Sequence, residues 1–333
     1  MKAHISVLMP VYNCAQFVEA AVNSILRQTL KHFILYIIDD GSTDGSYDLV
    51  AKLASNDERI ILQHNETNLG IIATRNQLLK KINTEFAAWM DADDIALPTR
   101  LEEQHKYLNE HQNLSACTCH YKVFGDRTES VNVANDAVSR ENLLFFNYVL
   151  NPGAMFRSDL VKQHGIKFRD WLSGASDYLF WVELAAIKPL GVVSKVLMHY
   201  RTHGNQETAA QSTRQLTGCA EICRYQLNKL GVNTVSVEQL LMFLIYPADA
   251  MKLKYDKQTM LNAIDLYQQI THATQISDLN YKKVEGLLFQ LVRAHSKRTG
   301  LIGFRIFVQT FGLQGLARCD YFGGKLLWQS IFK

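Results

Sequence analysis

Four short apolar runs in the first ninety residues, each followed by a stretch of helical length, constrain this chain more than any other feature. The runs are His4 to Met9, Phe33 to Ile38, Ile60 to His64 and Phe86 to Met90. Phe33 to Ile38 is almost unbroken in its apolar character, as a strand buried on both faces requires. The spacing predicts helices over roughly 14–29, after Gly45 to about Ala54, over 71–82, and from Pro98 to about His111. Asn13 is placed to cap the first of them, with Phe17, Ala21, Ile25 and Leu26 along one side. Strands alternating with helices in this way form βαβ units on a mainly parallel sheet. Ligands of such sheets bind beyond the carboxyl ends of the strands. The polar clusters Tyr12-Asn13, Asp39-Asp40 and Asp91 to Asp94 fall at those ends.

The remainder is organised differently. Between 112 and 205 the pattern is mixed, with strands expected at Ser115 to Phe124 and Gly191 to Tyr200 and a helix at Ala175 to Ile187. Beyond about 206 strand signals fade and helical stretches run to roughly 297. We therefore expect one domain over 1–205 and a helical region over 206–333, serving an acceptor, an oligomer contact or a membrane surface. The 35 basic and 32 acidic residues leave a charge of +3, too small to call for a nucleic-acid partner. The six cysteines have no zinc-knuckle spacing, which suits reduced thiols in a cytoplasmic protein. No apolar run approaches the ~18 residues of a membrane span, and the stretch before Pro10 is short for a signal-peptide core.

Three aspartates within four positions, Asp91, Asp93 and Asp94, concentrate charge that needs a cation or strong donors to remain ionised. A hard ion such as Mg²⁺ or Mn²⁺ accepts carboxylates and shares its shell with substrate phosphates. The plainer alternative is that Asp93 or Asp94 caps the helix near Pro98. Asp39-Asp40 has two readings as well: a turn with a Thr43 or Ser46 cap, or a carboxylate accepting an N–H from uracil, thymine or guanine. Glycine-rich dinucleotide and P-loop signatures are missing, and Ile95 stands where an aspartyl phosphatase would place a hydroxyl.

Taken together, Pro10-Val11-Tyr12-Asn13, Ile38-Asp39-Asp40-Gly41-Ser42-Thr43-Asp44, Asn68-Leu69-Gly70 with Arg75-Asn76, and Met90-Asp91-Ala92-Asp93-Asp94 resemble the family 2 glycosyltransferases in order and spacing. The resemblance covers roughly 3–205. It implies the GT-A fold, a Rossmann-like α/β arrangement with a mainly parallel mixed sheet and flanking helices. It also implies an inverting transferase that uses a nucleotide-diphosphate sugar, here a UDP-sugar, with Mn²⁺ or Mg²⁺. By the same resemblance Pro10 and Tyr12 border the base and ribose, Asp40 holds the base edge and Arg75 lies near base or phosphates. Asp93 becomes the metal ligand, Asp91 faces ribose or ion, and Asp94 stands behind the site or on the sugar. Asp177 matches the general base, although Ser176 replaces the acid that usually precedes it. His203 in Tyr200 to Asn205 completes the donor site, and Asn151 to Arg157 lines the acceptor side. The implied acceptor is a glycan or lipid-linked saccharide of a bacterial surface polysaccharide. A sugar nucleotidyltransferase, or a scaffold that keeps the fold without turnover, are the competing classes.

Residues 301–333 carry Phe304, Phe307, Phe311, Tyr321, Phe322, Trp328 and Phe332 among four cations and one acid. Aromatics interleaved with cations fit an anionic bilayer surface, placing the protein peripherally on the inner face of the cell membrane. The same rings fit the core of a helix pair docked on the catalytic domain equally well.

Overall fold

The computed structural model describes residues 4–126, 128–131, 137–172, 174–204, 212–243, 257–272 and 305–311. Strands β1 (Ile5–Val11), β2 (Phe33–Asp39) and β4 (Phe86–Trp89) are buried along nearly their whole length, the state expected of apolar runs covered on both faces. β3 (Ile60–His64) flanks them. With β5 (Ile95–Ala96), β6 (Ala116–Gly125), β7 (Glu129–Val131), β8 (Ala137–Val138), β9 (Met155–Arg157) and β10 (Leu190–Thr202), they form one sheet. Its order is β3-β2-β1-β4-β9-β6-β10-β5, with β7 beside β6 and β8 beside β10. The first four strands in that order are parallel. β9 is antiparallel to both β4 and β6, and β10 is parallel to β6. Two reversals restore direction, so β1, β2, β4 and β10 all end at one edge of the sheet.

Pro10 is tolerated inside β1 because of where its nitrogen points. The Val11 carbonyl faces β2, accepting from Asp40 N at 2.8 Å, whereas the Leu8 carbonyl faces β4, accepting from Met90 N at 3.0 Å. Pro10 shares Leu8's side, and pairing with β4 stops at Leu8. Its missing N–H therefore breaks no ladder bond.

Helices α1 (Val18–Leu26), α2 (Ser46–Ala54), α3 (Ile71–Lys81) and α4 (Arg100–Glu110) connect the strands, followed by α5 (Ser158–Gln163) and α6 (Ser176–Ala185). The first helix is shorter than its sequence suggests, and Asn13 does not cap it. Asn13 adopts φ 47°, a left-handed conformation that Asn accepts more readily than most residues. Its N–H donates to Ser42 Oγ at 3.0 Å, and its Oδ1 accepts from Thr43 N at 2.9 Å. Cys14 N and Ala15 N donate to Ser46 Oγ and Asp44 Oδ2 at 2.8 and 2.9 Å. With these groups committed to the turn after β2, helical bonding begins only where Phe17 N and Val18 N reach the Cys14 carbonyl. Side chain-to-backbone bonds across the chain have displaced the local cap.

The chain divides into two compact units, Met1–Leu143 with Asn147–Ala210, and Leu144–Phe146 with Gln211–Lys333. The core of the first joins β1, β2 and β4 to α1 through Val7, Leu35, Ala88, Val22 and Ile25. In the second, helices Ser212–Lys229, Val237–Phe243 and Lys257–His272 and a helical turn at 305–311 enclose Cys223, Leu227, Leu240, Leu266 and Ile270. Phe307 is fully buried in that core and Phe311 packs against it, so these two tail rings belong to the core of the helical unit. Phe304, Tyr321, Phe322, Trp328 and Phe332 lie outside the described residues. Among the described residues no helix is long and apolar enough to cross a membrane.

Candidate active site

The strand ends bring two acidic turns to one edge, and the first is densely hydrogen-bonded. Asp40 is 3% exposed; its Oδ1 accepts from Asn65 Nδ2 and Leu69 N at 2.8 and 3.0 Å, and its Oδ2 from Gly70 N at 2.8 Å. A carboxylate offers about four acceptor sites, so roughly one is left for a base N–H. Asp39 is fully buried and accepts from Ser42 N, with His64 Nδ1 also 3.0 Å from its Oδ1. Gly41 makes this tight packing possible. Its φ is +75°, and a Cβ there would lie 2.8 Å from Asn68 N and Thr67 C, which excludes a side chain. Asp44 accepts from Ser46 N at 3.0 Å at the start of α2. Pro10 is buried within β1, whereas Tyr12, just beyond β1, is 46% exposed.

In the second turn the acids meet charged side chains. Asp93 Oδ2 lies 3.0 Å from His203 Nε2, 110 residues away, both side chains being partly buried. The ring of His203 packs on Phe17 at 4.8 Å. The Asp93 carbonyl accepts from Arg201 Nε at 2.7 Å, and the Arg201 guanidinium is sandwiched between Phe17 and Phe124 at 4.6 and 4.3 Å. Asp94 is fully buried; Oδ1 accepts from Arg201 N at 2.8 Å and Oδ2 has no hydrogen-bond partner among the described residues. Burial, with Asp93 and Asp91 close by, holds its carboxyl well above the ordinary carboxylate range. Its bond to Arg201 N ties this acidic turn to β10. Neither Asp93 nor Asp94 caps α4, whose N-cap residue is Thr99.

Arg75 on α3 forms an ion pair with Asp91 at 3.6 Å rather than pointing away as a solvated helix residue. Burial pushes the Asp91 carboxyl up to about 6, with Asp93 and Asp177 adding to the rise and Arg75 opposing it. Asp177, in the first turn of α6, is likewise raised by burial and pulled down by Arg75. Its Oδ1 accepts from Tyr178 N at 2.9 Å. Ser176 beside it is buried. Arg75, Asp91 and Asp177 are therefore electrostatic neighbours, and Asp93 with His203 forms the adjoining pair. Cys14 also adjoins the acids, but burial and then Asp93 push its thiol up to about 12, so it stays neutral.

Three residues gain importance only in three dimensions. Arg100, read from sequence as part of a charged helix, is fully buried and donates to the Trp89 carbonyl at 2.7 Å, placing a cation behind the acidic turn. Its company of Leu101, Gln104 and Leu108 on the buried side of α4 was the available signal. Arg201 and Asn76 sit within recognised motifs, but nothing in one dimension indicates what they hold.

A hard divalent cation fits these residues. Octahedral donors at about 2.1 Å lie about 3.0 Å apart when adjacent, the separation of Asp93 Oδ2 and His203 Nε2. The ring nitrogen that faces Asp93 would have to turn its lone pair to the ion, moving its proton to Nδ1. Among the described residues no group of three or more His, Cys, Asp or Glu side chains is placed to hold a metal ion.

Residues 6–168 match the family described as Glycosyl transferase family 2. An uncharacterized glycosyltransferase of Haemophilus influenzae is 28% identical over 305 residues, covering 86% of this chain and 93% of that protein. The putative teichuronic acid biosynthesis glycosyltransferase TuaG of Bacillus subtilis is 35% identical over 109 residues, 33% of this chain and 43% of that protein. Among solved structures, S. aureus TarS 1–349 in complex with UDP-GlcNAc has a TM-score of 0.61 at 20% identity, covering 95% of this chain and 89% of that one. The mannosyltransferase PcManGT from Pyrobaculum calidifontis, in complex with GDP-Man and Mn²⁺, has a TM-score of 0.54 at 16% identity, covering 94% and 81%. Residues 6–168 belong to Glycosyl transferase family 2 by this match, and the chain has the GT-A fold.

Proposed function

We propose that this glycosyltransferase moves a sugar from a UDP-sugar to a hydroxyl of a glycan or lipid-linked saccharide, with inversion and with Mn²⁺ or Mg²⁺, in bacterial surface polysaccharide synthesis. The observation that carries the proposal is the meeting of Asp93 and His203 at 3.0 Å, beside the Arg75, Asp91 and Asp177 group. Similarity to TarS bound to UDP-GlcNAc supports the donor class, similarity to TuaG the pathway class, and PcManGT with Mn²⁺ the cation.

In this reading Tyr12 offers its exposed ring to the base, Pro10 shapes the floor beneath it, and the remaining acceptor site of Asp40 takes a base N–H. Asp93 and His203 hold the cation, and Asp91 faces the ribose or that ion. What such a cation supplies is charge stabilisation of the departing diphosphate. Asp177 takes the proton of the acceptor hydroxyl as its oxygen attacks the anomeric carbon; the bond from that carbon to the diphosphate oxygen breaks on the opposite face, and UDP leaves with the electron pair. Burial suits Asp177 to this work by raising its proton affinity towards neutrality. Arg75 moderates that rise.

The test combines a donor screen with one substitution. Metal-dependent UDP release should occur with one or more UDP-sugars. Asp177→Asn should lower turnover by about 10²–10⁴-fold and leave UDP affinity near the parent value. Near-normal turnover would remove Asp177 as the base, since Asn would preserve a purely structural helix-start role.

A further inference from the structure

The match to the family ends at Phe168, nine residues before Asp177, and the contacts around Phe168 show how the two parts are joined. Asn76, next to Arg75 on α3, grips the backbone of Phe168 from both sides. Asn76 Nδ2 donates to the Phe168 carbonyl at 3.0 Å, and Phe168 N donates to Asn76 Oδ1 at 2.9 Å, across 92 residues. The Phe168 ring, 1% exposed, then touches the elements that carry Asp177, Asp91 and Arg75. It stacks on Phe180 of α6, the helix of Asp177, at 5.0 Å and 10°. It meets Trp89, two residues before Asp91, edge-on at 5.3 Å. It underlies the Arg75 guanidinium at 5.4 Å.

One step further along, Arg169 pairs with Glu183 of α6 at 3.3 Å. Leu172 N, Ala175 N and Tyr178 N then bond to the carbonyls of Arg169, Leu172 and Ala175. The approach to Asp177 is thus a chain of short turns fixed at its start by Asn76. A two-point amide clamp sets both position and rotation of the backbone it holds, whereas a single bond would leave a hinge.

We propose that Asn76 is a positioning residue: by clamping Phe168 it fixes the helix bearing Asp177 against Arg75 and Asp91, and so aligns the acceptor side of the site with the donor side. The inference rests on Asp177 being the base. The side-chain hydrogen bonds of Asn76 go to Phe168 and not to Asp93 or the Asp40 turn, so its loss should disturb alignment rather than nucleotide binding. Misplacement of a reacting group by about 1 Å from a remote change costs about 10²-fold.

The experiment uses the full chain and the UDP-sugar that the parent turns over best in the donor screen. Asn76→Ala should lower kcat by about 10–100-fold, leaving the donor KM and the calorimetric affinity for UDP with Mn²⁺ within about twofold. Phe168→Leu keeps the backbone clamp but removes the flat stack on Phe180. It should reproduce the fall in kcat in part, and it provides the test if Asn76→Ala does not fold. Parent kcat in a folded Asn76→Ala or Phe168→Leu variant would overturn the inference, and so would kcat and UDP affinity falling together. Asp177→Asn in the same assay separates the failures. If it collapses while Asn76→Ala stays at the parent rate, only the positioning role is wrong; if it turns over normally, the base assignment fails and this inference with it.

Discussion

The turn at Asp39-Asp40 and the turn at Asp91 to Asp94 are both acidic and both follow a buried parallel strand, yet they are held in opposite ways. Asp40 receives two backbone N–H groups and an amide, all from the loop at Asn65 to Gly70. Asp39 receives Ser42 N and faces His64. Asp91 and Asp93 face charged or titratable side chains instead, Arg75 at 3.6 Å and His203 at 3.0 Å. Backbone donors belong to the fold and cannot leave without unfolding a loop. Side-chain partners, partly exposed, can turn towards a ligand. In the proposed function the first turn is thus a prebuilt shape for a base, and the second a set of charges for a cation and a diphosphate.

The comparison breaks first at Asp93. Asp93→Asn should weaken Mn²⁺-dependent UDP binding on the order of 100-fold while leaving the thermal midpoint at or above the parent's, because a like charge is removed. Calorimetry giving equal metal-dependent binding would return the second turn to the structural class. Asp40→Ala should behave conversely. Two backbone N–H groups and an amide lose their acceptor, so denaturant unfolding should report a loss of roughly 2–3 kcal/mol; an unchanged midpoint would mean that the loop is held by other contacts.

The smallest effect concerns pH without divalent ions. The Asp91 carboxyl lies at about 6 against an ordinary 3.8. A group raised in the folded state contributes stability at low pH that is lost as pH rises through its folded value. Metal-free protein should therefore lose stability between about pH 4 and pH 6. The loss should be about 1 kcal/mol, after allowing for screening of a side chain one quarter exposed. Asp91→Asn should remove that slope. An Asp91→Asn variant with the parent's pH dependence would mean that Asp91 ionises as freely as an exposed acid.

Much of the sheet was legible because a strand buried on both faces must be apolar throughout. The runs at Phe33 and Phe86 admit little else, and Asp39 and Asp91 had to follow them at the ligand-binding edge. Boundaries set by distant partners were not legible. Helix α1 starts at Val18 because Ser42, Asp44 and Ser46 capture the backbone at Asn13 to Ala15, a competition between segments some thirty residues apart. β9 could not be read as the strand that reverses direction, since three residues carry no periodicity. Arg100 is an interior residue although charge is normally a surface property, because it donates to the buried carbonyl of Trp89.

The sequence by itself determined the order of strands and helices, the placing of acids and Tyr12 at strand ends, and the family through the joint spacing of four motifs. These follow from local periodicity and from residue chemistry that does not depend on where the chain goes next. Tertiary structure alone decided which charges are neighbours. Asp93 met His203 and Arg75 met Asp91 because β10 and α3 are brought to the same edge, and Asp177 was turned towards them by a helix that Phe168 locks. Coulomb energy and desolvation depend on separation in space and on burial, and neither distance is written along the chain.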